Sequence, residues 1–350
     1  MSTDTLLAIV EPLLTWYRQN ARILPWREEP TPYRVWISEI MLQQTRVEAV
    51  KPYFARFLEA LPTVPALAQT PEQQLMKLWE GLGYYSRARN LQRAARVMVE
   101  QFDGTLPPDY ESLLKLPGIG PYTAGAIASI AYGIPVPAVD GNVLRVVMRL
   151  IAGWDDIADP NVKRDVAQRM ARVLPKDCPG DFNQAMMELG ATVCVPGGEP
   201  KCLVCPLNAL CEGYRQGVAR ELPIKAKKKA RRVEERTVFL LVCDGELGIR
   251  RRPTTGLLAG MWELPSAEGK RNLEGAMEQL QEWGVQPQEV KLMPAAKHIF
   301  SHVEWHMTGY WVDLKARPEG FTWVGRETLQ QEYALPSAFR AYLEAFTKQI

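Results

Sequence analysis

The sequence predicts a multidomain protein, an all-α half followed by a smaller α+β domain, and three observations carry that expectation. Apolar residues recur at helical spacing through residues 1–224. A short basic run, 225–236, then holds seven Lys and Arg against two Glu and has no apolar period. Beyond it, Thr237-Val238-Phe239-Leu240-Leu241-Val242 is β-branched and apolar and stops at Asp244-Gly245, a hairpin signal. At 350 residues the chain is also too long for one ordinary core. Domains are therefore expected at 1–224 and 237–350, with 225–236 as an exposed basic linker that can also attract phosphate.

The elements follow in order. Tyr33 to Leu61 carries Val35, Trp36, Ile40, Val47, Val50, Phe54, Phe57 and Leu58 at helical spacings, and Leu75 to Leu82 and Leu91 to Phe102 continue the pattern. A hairpin is expected over 113–132. Leu113 to Leu116 is a short apolar stretch, Pro117-Gly118-Ile119-Gly120 is a turn, and a small-residue helix runs from Tyr122 to Tyr132. Val143, Val146, Val147, Leu150 and Ile151 mark another helix. After the basic run, Leu247 to Arg251 returns the hairpin, Leu273 to Trp283 reads as helix and Glu304 to Leu314 as strand.

Composition narrows the class without naming a function. With 47% hydrophobic and 23% charged residues, the chain is neither disordered nor collagen-like. No apolar run reaches the ~18 residues of a membrane span; Ala124 to Val139 is cut by Gly133, Pro135 and Pro137. No basic leader precedes an apolar stretch, so a cytoplasmic, membrane-free protein is expected. The net charge of +2 would not mark a nucleic-acid binder, because residues 1–224 balance 23 Lys and Arg against 24 Asp and Glu.

Three local patterns carry chemistry. Cys194, Cys202, Cys205 and Cys211 form C-x7-C-x2-C-x5-C, a spacing that binds metal in a reducing compartment. Either a structural zinc or an iron–sulfur cluster takes four such ligands. Cys178 and Cys243 lie apart and are expected as packed or surface thiols. In the hairpin, Gly118 and Gly120 allow close backbone approach at a helix start, a sequence-independent phosphate clamp or else a plain corner. Glu39 lies within Val35-Trp36-Ile37-Ser38-Glu39-Ile40-Met41-Leu42, where partial desolvation would raise its pKa and fit it to donate a proton; a solvent-facing Glu on an amphipathic helix is the commoner case. Asp140, before Gly141-Asn142-Val143, is first of all a helix N-cap. Together, a proton-bearing acid and an ionised partner would form the two-carboxylate arrangement of glycosidic cleavage.

These residues resemble a family. "LPGIGPYTAGAI", "VDGNVLRV" and the four-cysteine loop (194–211), in that order, are similar to the helix–hairpin–helix DNA glycosylases. More narrowly, "LPWR" (Leu24 to Arg27), "YRVWISEIMLQQTRV" (Tyr33 to Val47), "WEGLGYYSRARNL" (Trp79 to Leu91) and "FNQAMMELGATVC" (Phe182 to Cys194) resemble the MutY family of adenine-specific mismatch glycosylases. The resemblance implies duplex DNA as partner, with adenine opposite 8-oxoguanine or guanine flipped out and its N-glycosidic bond hydrolysed in base excision repair. It implies that Glu39 protonates adenine N7. Asp140 would stabilise the oxocarbenium-like sugar, by charge or through a transient adduct. Asn142 and Tyr122 would lie around that sugar and acid, Arg27 and Gln184 near the flipped base. Gln44 would fill the gap in the stack and Tyr84 intercalate beside the oxidised guanine. The four cysteines would hold one [4Fe–4S] cluster, with a first spacing one residue longer than the family's. Bifunctional relatives carry Lys where Tyr122 stands, so a monofunctional, monomeric enzyme is expected. A bifunctional glycosylase/lyase and a non-catalytic damage sensor are the competing readings.

Residues 237–350 resemble a Nudix-type domain through "GMWELPS" (Gly260 to Ser266). The metal-binding box R-E-U-x-E-E-x-G-U is represented by Met277-Glu278-Gln279-Leu280-Gln281-Glu282-Trp283-Gly284-Val285, lacking the Arg and one Glu. Lesion recognition is therefore expected rather than nucleotide hydrolysis, with Phe300-Ser301-His302 matching the loop that approaches the lesion. His298, His302 and His306 recur every four residues, which would be a metal stripe on a helix but need not be one in a strand or loop.

Overall fold

The computed structural model describes residues 6–226 and 230–349. It divides into two compact units, residues 1–70 with 89–227, and residues 71–88 with 228–350.

Among the described residues, the helices up to the cysteine loop include α1 (Val10–Asn20), α2 (Pro25–Glu28), α3 (Pro32–Leu42), α4 (Val47–Ala60), α5 (Val64–Gln69), α6 (Glu72–Leu78), α7 (Ser86–Gln101), α8 (Tyr110–Leu114), α9 (Pro121–Ala126), α10 (Gly141–Leu150), α11 (Pro160–Val173) and α12 (Pro179–Thr192), followed by the short α13 (Glu212–Arg215). Their starts are written locally. Thr31 accepts from the Arg34 amide with Pro32 at the first helical position, and Asp159 caps α11 in the same way with Pro160. In the first unit Val143, Val147 and Leu150 of α10 pack with Phe182, Met186 and Leu189 of α12 and with Leu13 and Tyr17 of α1. Gly190 makes this contact close, since a Cβ there would lie 2.6 Å from Asn142 Cβ.

Two expected helices differ in the structure. The stretch from Tyr33 to Leu61 breaks between α3 and α4, where Gln44 adopts a left-handed φ of 58°. Both halves bury apolar residues, so the period runs on across a polar corner that it cannot register. The helix expected from Tyr122 to Tyr132 is α9 followed by a π-helical turn, Ile127–Ala131. Its small residues let other backbone in closely, and a Cβ on Gly125 would lie 2.4 Å from the Pro137 carbonyl.

The second unit is built on strands β1 (Arg232–Cys243), β2 (Glu246–Arg251), β3 (Trp262–Glu263), β4 (Ser266–Glu268), β5 (Pro287–Ile299), β6 (Val303–Leu314) and β7 (Thr322–Val324), with helices α14 (Leu273–Glu282), α15 (Arg326–Glu332) and α16 (Arg340–Gln349). The sheet order is β3-β2-β1-β6-β5, with β4 paired to β1 and β7 to β2. β1 and β6 run parallel at its centre. Alternation explains the unbroken apolar run of β1. Val238, Leu240 and Val242 join a core with Phe339, just before α16, and with Tyr342 and Phe346 of α16, while Phe239, Leu241 and Cys243 join one with Ala276 and Leu280 of α14. The hairpin expected at Asp244-Gly245 joins β1 to β2, both residues at positive φ.

The basic segment needs correction. β1 opens at Arg232, inside the span expected as linker, and Arg232 pairs with Val303. Arg236 is tucked away, 3.2 Å from Glu234 and over the Trp305 ring at 4.4 Å. Charges alternating along this strand give no apolar signal, which is why it reads as linker. Lys227, Lys228 and Lys229 lie outside the described residues. The segment 71–88, expected with the helical half, packs in the second unit. Lys77 Nζ donates to the Tyr333 carbonyl at 3.1 Å, and Glu80 Oε1 accepts from the Leu335 amide at 2.9 Å.

Candidate active site

In the first unit a cavity of about 730 Å³ is lined by Arg27, Glu39, Gln44, Tyr122, Asp140, Asn142 and Gln184, so every residue expected around the flipped base and sugar faces it. Its size matches a small-ligand site. Glu39 sits on α3 with 6% exposure, not on a solvated face. Burial pushes its carboxyl up to about 7; Asp140 adds to the rise, while the Tyr122 hydrogen bond and Arg27 pull it down. Tyr122, on α9, donates its hydroxyl to Glu39 Oε2 at 2.5 Å. Burial and the two carboxylates raise the phenol well above its ordinary range, so it remains a donor.

Asp140 is both N-cap and cavity wall. Its Oδ1 accepts from the Asn142 and Val143 amides, each at 2.8 Å, and its Oδ2 from Asn142 Nδ2 at 2.6 Å. Burial raises its pKa above the ordinary value, against the pull of those hydrogen bonds and of Arg145. Arg145 Nη2 donates to Asn142 Oδ1 at 2.9 Å, and its Nε to the Cys194 carbonyl at 2.7 Å. The Asp140 carboxylate is thus tied through Asn142 and Arg145 to the start of the cysteine loop. Sequence reasoning missed Arg145 and Arg149. The signal was there: two arginines four apart within the apolar stripe of α10, both buried. It also missed Arg22 and Glu188, which line the cavity.

Cys194, Cys202, Cys205 and Cys211 line one small cavity together with Arg149. Arg149 Nη1 donates to Cys194 Sγ at 3.3 Å. Neither Arg145 nor Arg149 forms an ion pair with a carboxylate among the described residues.

The hairpin has the expected geometry. Leu116 and Ile119 are buried while Gly118 and Gly120 are exposed. Gly118 has φ 78°, and a Cβ there would lie 2.6 Å from Asn90 Cβ; around Gly120 the space is open.

Residues 37–174 match the family model of the HhH-GPD superfamily base excision DNA repair protein, and residues 237–345 that of the NUDIX domain. The adenine DNA glycosylase of Homo sapiens is 35% identical over 94% of this chain and 73% of its own length. That of Buchnera aphidicola subsp. Acyrthosiphon pisum (strain APS) is 30% identical over 97% of each. The chain belongs to the adenine DNA glycosylase family. It is a DNA N-glycosylase of base excision repair. Among solved structures, a thermostable thymine-DNA glycosylase aligns with a TM-score of 0.55 at 28% identity, over 61% of this chain and 98% of that one. Endonuclease III in a non-covalent complex with DNA aligns with a TM-score of 0.54 at 25% identity, over 62% and 98%.

The second unit of this adenine DNA glycosylase brings together residues far apart in sequence. Tyr84 OH lies 2.8 Å from Ser301 Oγ. Tyr84 is 43% exposed and has a left-handed φ of 48°, uncommon for an aromatic residue. Phe300 packs edge-on against His298 and Trp305, while Ser301 and His302 are exposed. His298 lies on β5 and His306 on β6, where His306 Nε2 meets Glu304 at 2.7 Å. The described residues hold no group of three or more His, Cys, Asp or Glu set to bind one metal ion. This includes the Nudix-box remnant on α14, where Glu282 accepts from Gln279 at 2.8 Å. No helix among the described residues is long and apolar enough to cross a membrane.

Proposed function

We propose that this enzyme removes adenine mispaired with 8-oxoguanine or guanine in duplex DNA, by hydrolysis without strand cleavage. The observation that carries this reading is the shared cavity of Glu39, which holds a proton near pH 7, and Asp140. With Tyr122 donating to Oε2, Oε1 is left to carry the proton to N7 of the flipped adenine. Protonation makes the base a neutral leaving group. The C1′–N9 bond then breaks with its electron pair going to the base, and Asp140 faces the cationic sugar until water adds at C1′ and loses a proton. The group bonded to Glu39 is a phenol, not an amine, which supports a monofunctional enzyme. A borohydride-trapped DNA adduct would overturn that point, with Lys163 and Lys225 of the cavity wall as the amines to map.

Gly118 and Gly120 serve in this reading as the backbone clamp on a phosphate, Gln44 as the residue entering the stack, and Arg27 and Gln184 as contacts to the base. Tyr84, Phe300, Ser301 and His302 serve as the reader of the oxidised guanine, supported by the Tyr84–Ser301 contact. Excision measured on duplexes differing only in the base opposite adenine tests it. Ser301→Ala should lower the preference for 8-oxoguanine over guanine up to about tenfold, the worth of one hydrogen bond. Equal loss on both duplexes would remove Ser301 from the reader.

The four cysteines fit a [4Fe–4S] cluster. The four residues line one cavity together with Arg149. Arg149 donates to Cys194 Sγ, and Arg145 donates to the Cys194 carbonyl, which sets buried positive charge beside an anionic thiolate cage. The bound cluster would supply a structural tether for the loop that Arg145 links to Asn142. The purified protein should be straw-brown and contain iron; stoichiometric zinc without iron would reject the cluster.

A further inference from the structure

Glu188, on α12, is a charged side chain of the cavity wall with only 1% exposure, and it grips two arginines. Arg22 Nε donates to Oε1 at 2.5 Å and its Nη2 to Oε2 at 3.1 Å, while Arg27 Nη2 donates to Oε2 at 2.8 Å. Arg27 is held further by its Nη1, which donates to the Arg22 carbonyl at 3.1 Å, and by the Tyr17 ring, 5.6 Å away. Both arginines line the same cavity as Glu39. We propose that Glu188 is a positioning residue: it clamps Arg22 and Arg27 on the wall that receives the adenine and cancels part of the positive charge they bring to the Glu39 carboxyl. The proposal rests on the reading of Glu39 as the acid.

Charge gives the reason. Glu39 must stay neutral until it gives up its proton, and nearby positive charge favours its ionised form. The charged or titratable groups facing it are Tyr122 from α9, Asp140 at the head of α10 and Arg27 from α2. The wall adds Arg22, Glu188, Lys163 and Lys225. Arg22, Arg27 and Glu188 together leave one positive charge; without Glu188 they leave two. Two guanidiniums freed from their shared carboxylate would also lose the charge-assisted bonds that fix their direction toward the base.

The test is single-turnover adenine excision from an A:8-oxoguanine duplex across pH, on the full-length protein, with folding followed by circular dichroism melting. Glu188→Gln should move the basic limb of the profile down by roughly half to one pH unit. That makes excision about three- to tenfold slower above the limb than the loss seen below it. Glu188→Asp, which keeps the charge on a shorter stem, should restore the limb while leaving the rate reduced. Arg22→Gln, at a half-exposed position, removes a positive charge and should move the limb up. A Glu188→Gln enzyme slowed equally at every pH, with the limb unmoved, overturns the proposal. If Glu188→Gln does not fold, an Arg22→Gln limb that stays put or moves down overturns it alone. Glu39→Gln run alongside separates the two claims: retained excision there defeats the acid itself, whatever Glu188 does.

Discussion

Glu39→Gln is expected to abolish adenine excision, with a loss of two to four orders of magnitude, while leaving DNA affinity close to that of the native enzyme. The size follows from removing a positioned general acid, worth about 10²–10⁴-fold. The amide keeps the shape and still accepts from Tyr122, so only the transferable proton is lost. The native rate should fall as pH rises past about 7, because Glu39 then ionises. Stability of the fold carries a second signature. A carboxyl raised from 4.5 to about 7 in the folded state costs stability as pH rises through that window, since the unfolded chain ionises it first. The cost above pH 7 is roughly 3 kcal/mol at most. Glu39→Gln escapes it and should melt at a higher temperature than the native enzyme at pH 8, but not at pH 4. Retained turnover would remove Glu39 as the acid; unchanged melting at pH 8 would mean that its carboxyl is well solvated.

Asp140→Asn is expected to cost on the order of a thousandfold in excision, comparable to deleting a preorganised electrostatic contact to a transition state. The substitution separates charge from capping. Asn can still accept from the Asn142 and Val143 amides through one oxygen and so hold the start of α10. What it loses is the charge that the proposed function sets against the sugar, and the second oxygen becomes an NH₂ group opposed to Asn142 Nδ2. Asn142 cannot simply turn over, because Arg145 donates to its Oδ1. A modest fall in melting temperature, with a large fall in rate, is the expected pair. On the acid side of the native pH profile, the rate should decline as Asp140 takes up a proton, above the ordinary aspartate range because burial raises it. An Asp140→Asn enzyme that keeps full activity would leave this residue a cap and nothing more.

Much of this enzyme is legible in one dimension. The apolar run of β1, the two-glycine turn from Leu116 to Pro121, the N-cap at Asp140 and the cysteine spacing are short-range features, each set by residues close together on the chain. The raised carboxyl of Glu39 was readable too, because its own helix neighbours are apolar enough to desolvate it. The break at Gln44, the π-helical turn after Ala126 and the start of β1 at Arg232 were not, since an apolar period passes over a polar corner and is silent on a charged strand.

Sequence alone thus carries the chemistry of each side chain and, where an apolar period exists, the face a helix or strand turns inward. The fold settles their company: Glu39 beside Tyr122 and Asp140, Glu188 between two arginines 166 and 161 positions away, Tyr84 against Ser301. The reason is physical. Periodicity reports a side chain's direction relative to its own backbone, whereas desolvation and Coulomb interaction depend on distances to segments that meet only when the chain closes on itself.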